Sequence, residues 1–297
     1  MNLSKLNKKI CKNIIWIIGP QRSGTSLTGK ILGSMKEVEY FYEPELLFSL
    51  MPSINKIDKK IWSILFETYV VEDLFFNNLT GRKINLKKFE ESYIGNYLSK
   101  KNINTRLSSL LKKKNLSKKL NKTKIVIKIP DCIKYFHQYQ KIYKKNKFII
   151  LRRDIFENLR SLVKKNWYDN LGYTNEIYPF IKDKKNYYPI WIEKKHKKLW
   201  NSFNKYEKAA FYLIENYNYQ NKIKNKLTIN YEQIVKNPNK ILKLFEKNLK
   251  VTQTDLTRKN IKMIKRKKET KKSYINFLKN RINNKMFSKL LYINDNL

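Results

Sequence analysis

The sequence predicts a three-layer α/β fold in which helices cover both faces of a central parallel sheet. Three observations predict it. Apolar runs of four to six residues recur along the chain, bounded by Lys, Asn, Gly or Pro, as in strands buried on both faces. Helical patterns of apolar residues alternate with those runs. The first run also opens straight onto a polar loop bracketed by Gly19 and Gly24, with an apolar helical pattern behind it.

Taken in order, the first strand is expected over residues 14–18 and its helix over residues 25–35, where Leu27, Ile31, Leu32 and Met35 recur at helical spacing. Residues 38–41 give a weaker second strand, and residues 52–123 read as a Lys- and Asn-rich helical insertion before the third. The third strand is expected over residues 124–129 with a helix over 133–143, the fourth over 147–151 with a helix over 156–167. A long helix over 191–222 and a strand over 226–229 follow. Asn237-Pro238 has the form of a cap with proline in the first turn, starting a helix over 238–247. Residues 252–297 hold no strand pattern and carry the densest positive cluster: Lys265, Arg266, Lys267 and Lys268, with Lys271 and Lys272. No repeat or sharp linker divides the chain, so residues 1–297 are expected to form one domain.

Composition excludes several classes. With 41% hydrophobic and 13% aromatic residues the chain is not a disordered tail, although 30% of it is charged. Seven glycines and seven prolines exclude collagen-like and low-complexity sequences. Two cysteines, Cys11 and Cys132, build neither a disulfide framework nor a thiolate metal site, and are expected as free thiols in a reducing compartment. No segment approaches the ~20 apolar residues that span a bilayer. The basic start and the run at 14–18 have the outline of a signal peptide, but the run is too short and lacks a small-residue cleavage site. A cytoplasmic location is expected.

The charge is strongly one-sided: 65 Lys and Arg against 24 Asp and Glu leave a formal +41. A nucleic-acid or other polyanion binder would explain it. So would compositional drift toward Lys, Asn and Ile, which share A/T-rich codons. Drift is the stronger explanation, because only 9 of the 65 are Arg, the residue on which DNA readers lean. Against that background it is informative that three of the nine fall at Arg22, Arg152 and Arg153.

Gly19-Pro20-Gln21-Arg22-Ser23-Gly24-Thr25-Ser26 joins the first strand to its helix. Such a loop aims backbone N–H groups and a helix N-terminus at an anion, and the hydroxyls of Ser23, Thr25 and Ser26 are expected to add donors. The two glycines have the spacing of a nucleotide P-loop, yet Thr25 stands where Lys would reach the β- and γ-phosphates. A frame shifted to Gly24 and Gly29 supplies Lys30 but lies inside the helix and lacks the Ser or Thr that should follow. A phosphate-binding loop not built for ATP hydrolysis is expected.

The stretch Gly-Pro-Gln-Arg-Ser-Gly-Thr-Ser-Leu resembles the 5′-phosphosulfate loop of sulfotransferases that use 3′-phosphoadenosine 5′-phosphosulfate (PAPS). The resemblance extends over roughly residues 13–50, 124–168 and 226–250 and implies a P-loop nucleotide-binding fold with PAPS as donor. Arg22, Ser23, Gly24, Thr25 and Ser26 match the positions that hold the 5′-phosphosulfate. Arg153, at the end of the fourth strand, and Ser161, two turns into the next helix, match the 3′-phosphate site; Arg152 is a less certain neighbour. Tyr231, in Tyr231-Glu232-Gln233, matches a nucleotide contact. Lys271 and Lys272 are candidates for a late basic loop that closes over the nucleotide.

Sulfuryl transfer needs a base for the acceptor hydroxyl and positive charge on the sulfonyl and leaving oxygens. Glu43 follows the second strand and stands 21 residues after Arg22, the distance seen for the catalytic glutamate of tyrosylprotein-type sulfotransferases; Glu45 is the rival base. Lys128 closes an apolar run, costly unless its ammonium reaches an anion, and matches the family lysine at the bridging oxygen. Ile129 and Pro130 stand where aryl sulfotransferases carry a catalytic histidine. His137 and His196 fall in helical patterns elsewhere, and no metal site is expected.

The expected enzyme therefore moves a sulfuryl group from PAPS to a hydroxyl of an acceptor, a carbohydrate or lipid-linked glycan. Glu43 is its base, and Arg22 and Lys128 stabilise developing charge. Two separate anion pockets, at the mouths of neighbouring strands, would grip the two ends of the donor. The acceptor would enter over 52–123 and the tyrosine-rich 168–219. A P-loop small-molecule kinase and a basic nucleic-acid-binding protein are the alternatives.

Overall fold

A computed structural model describes residues 5–108, 122–168, 180–183, 186–264 and 272–297. Five parallel strands, β1 (Ile15–Ile18), β2 (Val38–Tyr42), β3 (Lys124–Lys128), β4 (Lys147–Arg152) and β7 (Lys226–Asn230), form the central sheet in the order β2-β3-β1-β4-β7. The expected class and all five expected strands are found, with ends shifted by a residue or two. β1 and β3 are buried along almost their whole length, which is why their sequences read as unbroken apolar runs rather than as alternation.

Side chains nevertheless alternate between two cores. Trp16, Ile18, Ile125, Ile127, Phe148 and Ile150 pack against helices from the insertion and against Phe136 and Tyr139. Ile15, Ile17, Val126, Ile149 and Leu151 face the other way, onto Ile31 and Leu32 of the Thr25–Gly33 helix and onto Ile241, Leu242 and Phe245 of the Pro238–Leu249 helix. The two cores make the three layers. A third cluster lies beside the sheet, where the Ile155–Val163, Lys205–Gln220 and Asn284–Asp295 helices meet.

The insertion is helical in part: Lys59–Thr68 runs into a π-helix at Tyr69–Phe76, an irregular stretch over residues 80–99 follows, and Lys100–Ser108 is helical again. Arg106 returns it to the sheet by pairing with Glu39 of β2, Nη1 to Oε2 at 3.0 Å, both side chains buried. The single helix expected over 191–222 is a correction. Phe203 is extended, and Asn204 and Glu207 form a capping box that starts a new helix, Lys205–Gln220, after a short one at Lys197–Ser202. An antiparallel pair, β5 (Phe180–Asp183) with β6 (Asn186–Pro189), precedes them. The tail folds into the Asp255–Lys262, Lys272–Lys279 and Asn284–Asp295 helices. Of its basic cluster Lys272 is exposed, and residues 265–271 lie outside the described residues.

β1 sits at the centre of the sheet with β3 and β4 on either side. The connection after β1 runs toward β2 and the one after β4 runs the opposite way toward β7, so a crevice opens at the carboxyl ends of these strands, the usual binding position in open parallel sheets.

Candidate active site

A cavity of about 520 Å³ fills that crevice, within the roughly 300–1,000 Å³ of small-molecule sites. Its walls come from the mouths of all five strands: the Gln21–Leu27 turn after β1, Tyr42 and Glu43 of β2, Lys128, Pro130 and Asp131 of β3, Arg153 after β4 and Tyr231 after β7. Lys30, Glu91, Trp167, Tyr168, Pro189 and Trp191 complete it.

The loop after β1 turns through Gly24, whose φ of 97° is left-handed and whose missing Cβ leaves room for Tyr231; a Cβ there would stand 2.5 Å from the ring. The N-cap of the Thr25–Gly33 helix is Gly24, so among the described residues no side chain caps it, and its first turn borders the cavity. Thr25 and Ser26 line the cavity. Ser23 is a correction: its side chain is fully buried, its hydroxyl donates to the Pro20 carbonyl at 2.6 Å, and it adds no donor to the cavity.

Arg22 and Arg153, expected in two separate anion pockets, line the same cavity, whereas Ser161 is not among its lining residues. Arg153 Nη1 donates to the Arg22 carbonyl at 2.9 Å, and Arg22 Nε donates to Ser161 Oγ at 3.1 Å. Arg153 is 5% exposed, its guanidinium lies 4.9 Å over the Tyr231 ring, and Nη2 reaches Glu157 at 3.1 Å. Its Nε is buried with no hydrogen-bond partner among the described residues. Burial raises Glu157 against the pull of Arg153 and Arg160. Arg152 points elsewhere, to Gln220 Oε1 at 3.1 Å and over Tyr217, outside the cavity.

Glu43 stands in the left-handed region at φ 45°, its N–H donating to the Lys128 carbonyl at 2.9 Å. Lys128 donates to the Glu43 carboxylate, and its ammonium also lies 4.2 Å over the Tyr42 ring. Burial, helped by Glu43, pushes the Tyr42 phenol far up. Glu45, by contrast, is exposed and does not line the cavity.

Sequence reasoning missed Asp131. It is 1% exposed, it also holds a left-handed backbone at φ 60°, and it accepts from Tyr212 OH at 2.6 Å and from Gln21 Nε2. Burial pushes its carboxyl up to about 7, with Glu43 adding to the rise and Tyr212, Gln21 and Lys128 opposing it. Between the usual 3.8 and 7 the unfolded chain releases this proton while the folded one keeps it. The stability it contributes is thus greatest below about pH 4 and is lost as pH rises to 7. Denaturant titrations of wild type and Asp131→Asn should differ by a curve of that sign across that window; a flat difference would contradict it.

Arg22, Glu43 and Asp131 together put three non-glycine residues with positive φ at the mouths of three adjacent strands. Such backbone strain costs of order 1–3 kcal/mol each and persists where surrounding structure imposes it, often at functional sites.

No family model and no curated protein matches the chain. Among solved structures it is similar to the sulfotransferase domain from the curacin biosynthetic pathway (TM-score 0.42, 15% identity, covering 84% of this chain and 77% of that one). It is similar also to the sulfotransferase domain of the Synechococcus PCC 7002 olefin synthase (TM-score 0.44, 13% identity, 90% and 93%). A third is the sulfotransferase from Alicyclobacillus acidocaldarius (TM-score 0.40, 10% identity, 95% and 95%). Among the described residues no helix is long and apolar enough to cross a membrane, and no cluster of three metal-binding side chains occurs.

Proposed function

We propose that the chain is a sulfotransferase that moves a sulfuryl group from PAPS to an acceptor hydroxyl, using Arg22, Gly24, Thr25, Ser26, Arg153, Ser161 and Tyr231 for the donor and Glu43 with Lys128 for the chemistry. One observation carries the reading: two arginines in contact, an uncapped helix N-terminus and a carboxylate–lysine pair all border a single cavity. The cavity suits a donor with an anionic group at each end. The Arg153 Nε is buried with no partner among the described residues, and an unsatisfied buried donor is expensive unless a ligand takes it up.

In this reading the 5′-phosphosulfate lies on the N–H groups and hydroxyls of Thr25 and Ser26, and the 3′-phosphate on Arg153, with Ser161 holding Arg22 between the two groups. Glu43 takes the acceptor proton as the new O–S bond forms and the S–O bond to the 5′-phosphate breaks. Lys128 and Arg22 then stabilise charge on the sulfonyl and departing oxygens. The products are a sulfate ester and adenosine 3′,5′-bisphosphate. Lys128 donates to Glu43, and on donor binding it would turn toward the donor, which frees the carboxylate to act as base.

The acceptor proposed is a carbohydrate or lipid-linked glycan. Trp167, Tyr168, Pro189 and Trp191 offer flat apolar surface for sugar ring faces, beside carboxyl groups that accept from hydroxyls.

Thermal-shift titration with adenosine 3′,5′-bisphosphate, ATP and AMP tests the donor. At 100 times its Kd the bisphosphate should add about 2.7 kcal/mol of stability, and AMP at the same concentration much less. Equal or absent shifts for all three overturn the reading, and a preference for ATP turns it toward a kinase.

A further inference from the structure

We propose that Asp131 and Tyr212 form a latch that fixes the loop carrying Arg22, so that Asp131 is a positioning residue for the donor site. The loop part of this proposal stands on geometry alone; its consequence for donor affinity rests on the sulfotransferase reading above.

Both oxygens of the Asp131 carboxyl are engaged, Oδ1 by the Tyr212 hydroxyl at 2.6 Å and Oδ2 by Gln21 Nε2. The Tyr212 hydroxyl in turn accepts the Gln21 backbone N–H at 2.8 Å. Gln21 is therefore gripped by side chain and by main chain, closing a ring of three hydrogen bonds. Its partners come from positions 110 and 191 residues away in sequence, at the mouth of β3 and in the Lys205–Gln220 helix.

The next residue is Arg22, whose φ of 66° is unfavourable for a long side chain. A backbone of that kind needs its neighbours to hold it, and the latch grips the residue immediately before it. Asp131 itself occupies a left-handed position, which Asp tolerates better than most residues. A fully buried carboxyl is costly to retain, and here its bonds go to the donor loop and the helix that braces it.

Tyr212 also ties the loop to the opposite wall. Its ring packs against Trp191 at 5.2 Å and Tyr168 at 5.8 Å between centroids, and both of those rings line the cavity. A single side chain thus touches the donor loop with its hydroxyl and backs the aromatic wall with its ring.

Hydrogen exchange read by mass spectrometry tests the latch without any ligand. Tyr212→Phe removes one oxygen and keeps the ring, so it is the deciding variant; Asp131→Asn is its companion. Each should speed exchange in the peptide covering residues 19–27 about tenfold, the scale of one lost hydrogen bond, and leave β1 and the Lys205–Gln220 helix unchanged. Each should weaken adenosine 3′,5′-bisphosphate about tenfold, and the double variant should lose less than the product of the two. Unchanged loop exchange in Tyr212→Phe, or an increase spread evenly over the chain, overturns the latch. Faster loop exchange in a protein whose wild type ignores the bisphosphate leaves the latch standing and removes the donor assignment. Tight bisphosphate binding with a loop indifferent to both substitutions does the reverse.

Discussion

Glu43→Gln should lower kcat for sulfuryl transfer to a glycan acceptor by about 10²–10⁴-fold, the range for loss of a general base, while bisphosphate affinity changes little. Glutamine keeps the length of the side chain and an oxygen for Lys128, so the cavity walls stay in place, but it cannot take the acceptor proton. The backbone supports this assignment. Glu43 is fixed by its N–H bond to the Lys128 carbonyl at 2.9 Å and by its left-handed turn at the end of β2. Lys128 is 4% exposed, and removing its counter-charge will also cost stability, so melting should be followed in the same samples. Bisphosphate release in single turnover separates the two effects, because a fold defect lowers the active fraction and a missing base lowers the rate. Glu45→Gln is the companion measurement. Its side chain is exposed and off the cavity, so its rate should match wild type. Loss of rate in Glu45→Gln, with Glu43→Gln unaffected, would move the base to Glu45.

The fold and half of the cavity could be read from the sequence because both depend on short-range pattern. β1, β3 and β4 are apolar runs, and every strand of the central sheet ends where the chain turns at the sheet's carboxyl edge. Gly24, Glu43, Lys128, Arg153 and Tyr231 were found by standing at those ends, and all five reach one cavity. What escaped depends on partners brought together from afar. Asp131 looks like an ordinary residue after a proline until Tyr212, 81 positions later, and Gln21, 110 positions earlier, meet it. Ser23 has the same hydroxyl as Ser26, and only the path of the loop back to Pro20 turns it inward. The 191–222 pattern is helical throughout in its apolar spacing, and the break lies in a cap, Asn204 with Glu207, inside that pattern. Arginine scarcity was a sound guide but an incomplete one. Arg22 and Arg153 serve the cavity, whereas Arg152 braces Gln220 and Arg106 neutralises Glu39 on the far side of β2.

Arg153→Ala should reduce adenosine 3′,5′-bisphosphate affinity by about 10–100-fold, the equivalent of the 1.5–3 kcal/mol of a charge-assisted hydrogen bond. The effect has two sources. The guanidinium carries a buried Nε with no partner among the described residues, and its Nη1 holds the Arg22 carbonyl, so in the proposed reading deletion removes one anion contact and loosens another. Arg153→Lys separates them. Lysine keeps the charge but has no planar fork, and it cannot serve Arg22, Glu157 and a phosphate at once. It should therefore recover only part of the affinity, and full recovery would show that charge alone suffices at this position. Glu157 complicates the alanine variant, since it loses its nearer cation and keeps Arg160 at 3.8 Å. Burial already raises this carboxyl, and without Arg153 it rises further, which limits the stability cost by letting the group bind a proton. The same variant discriminates against a role set by the +41 charge. Binding to duplex DNA through that charge would weaken steeply with salt and would not notice one arginine among 65 basic residues. Bisphosphate binding lost in Arg153→Ala while residual DNA affinity is unchanged is the expected pattern, and loss of both in parallel would tie the arginine to a polyanion surface instead.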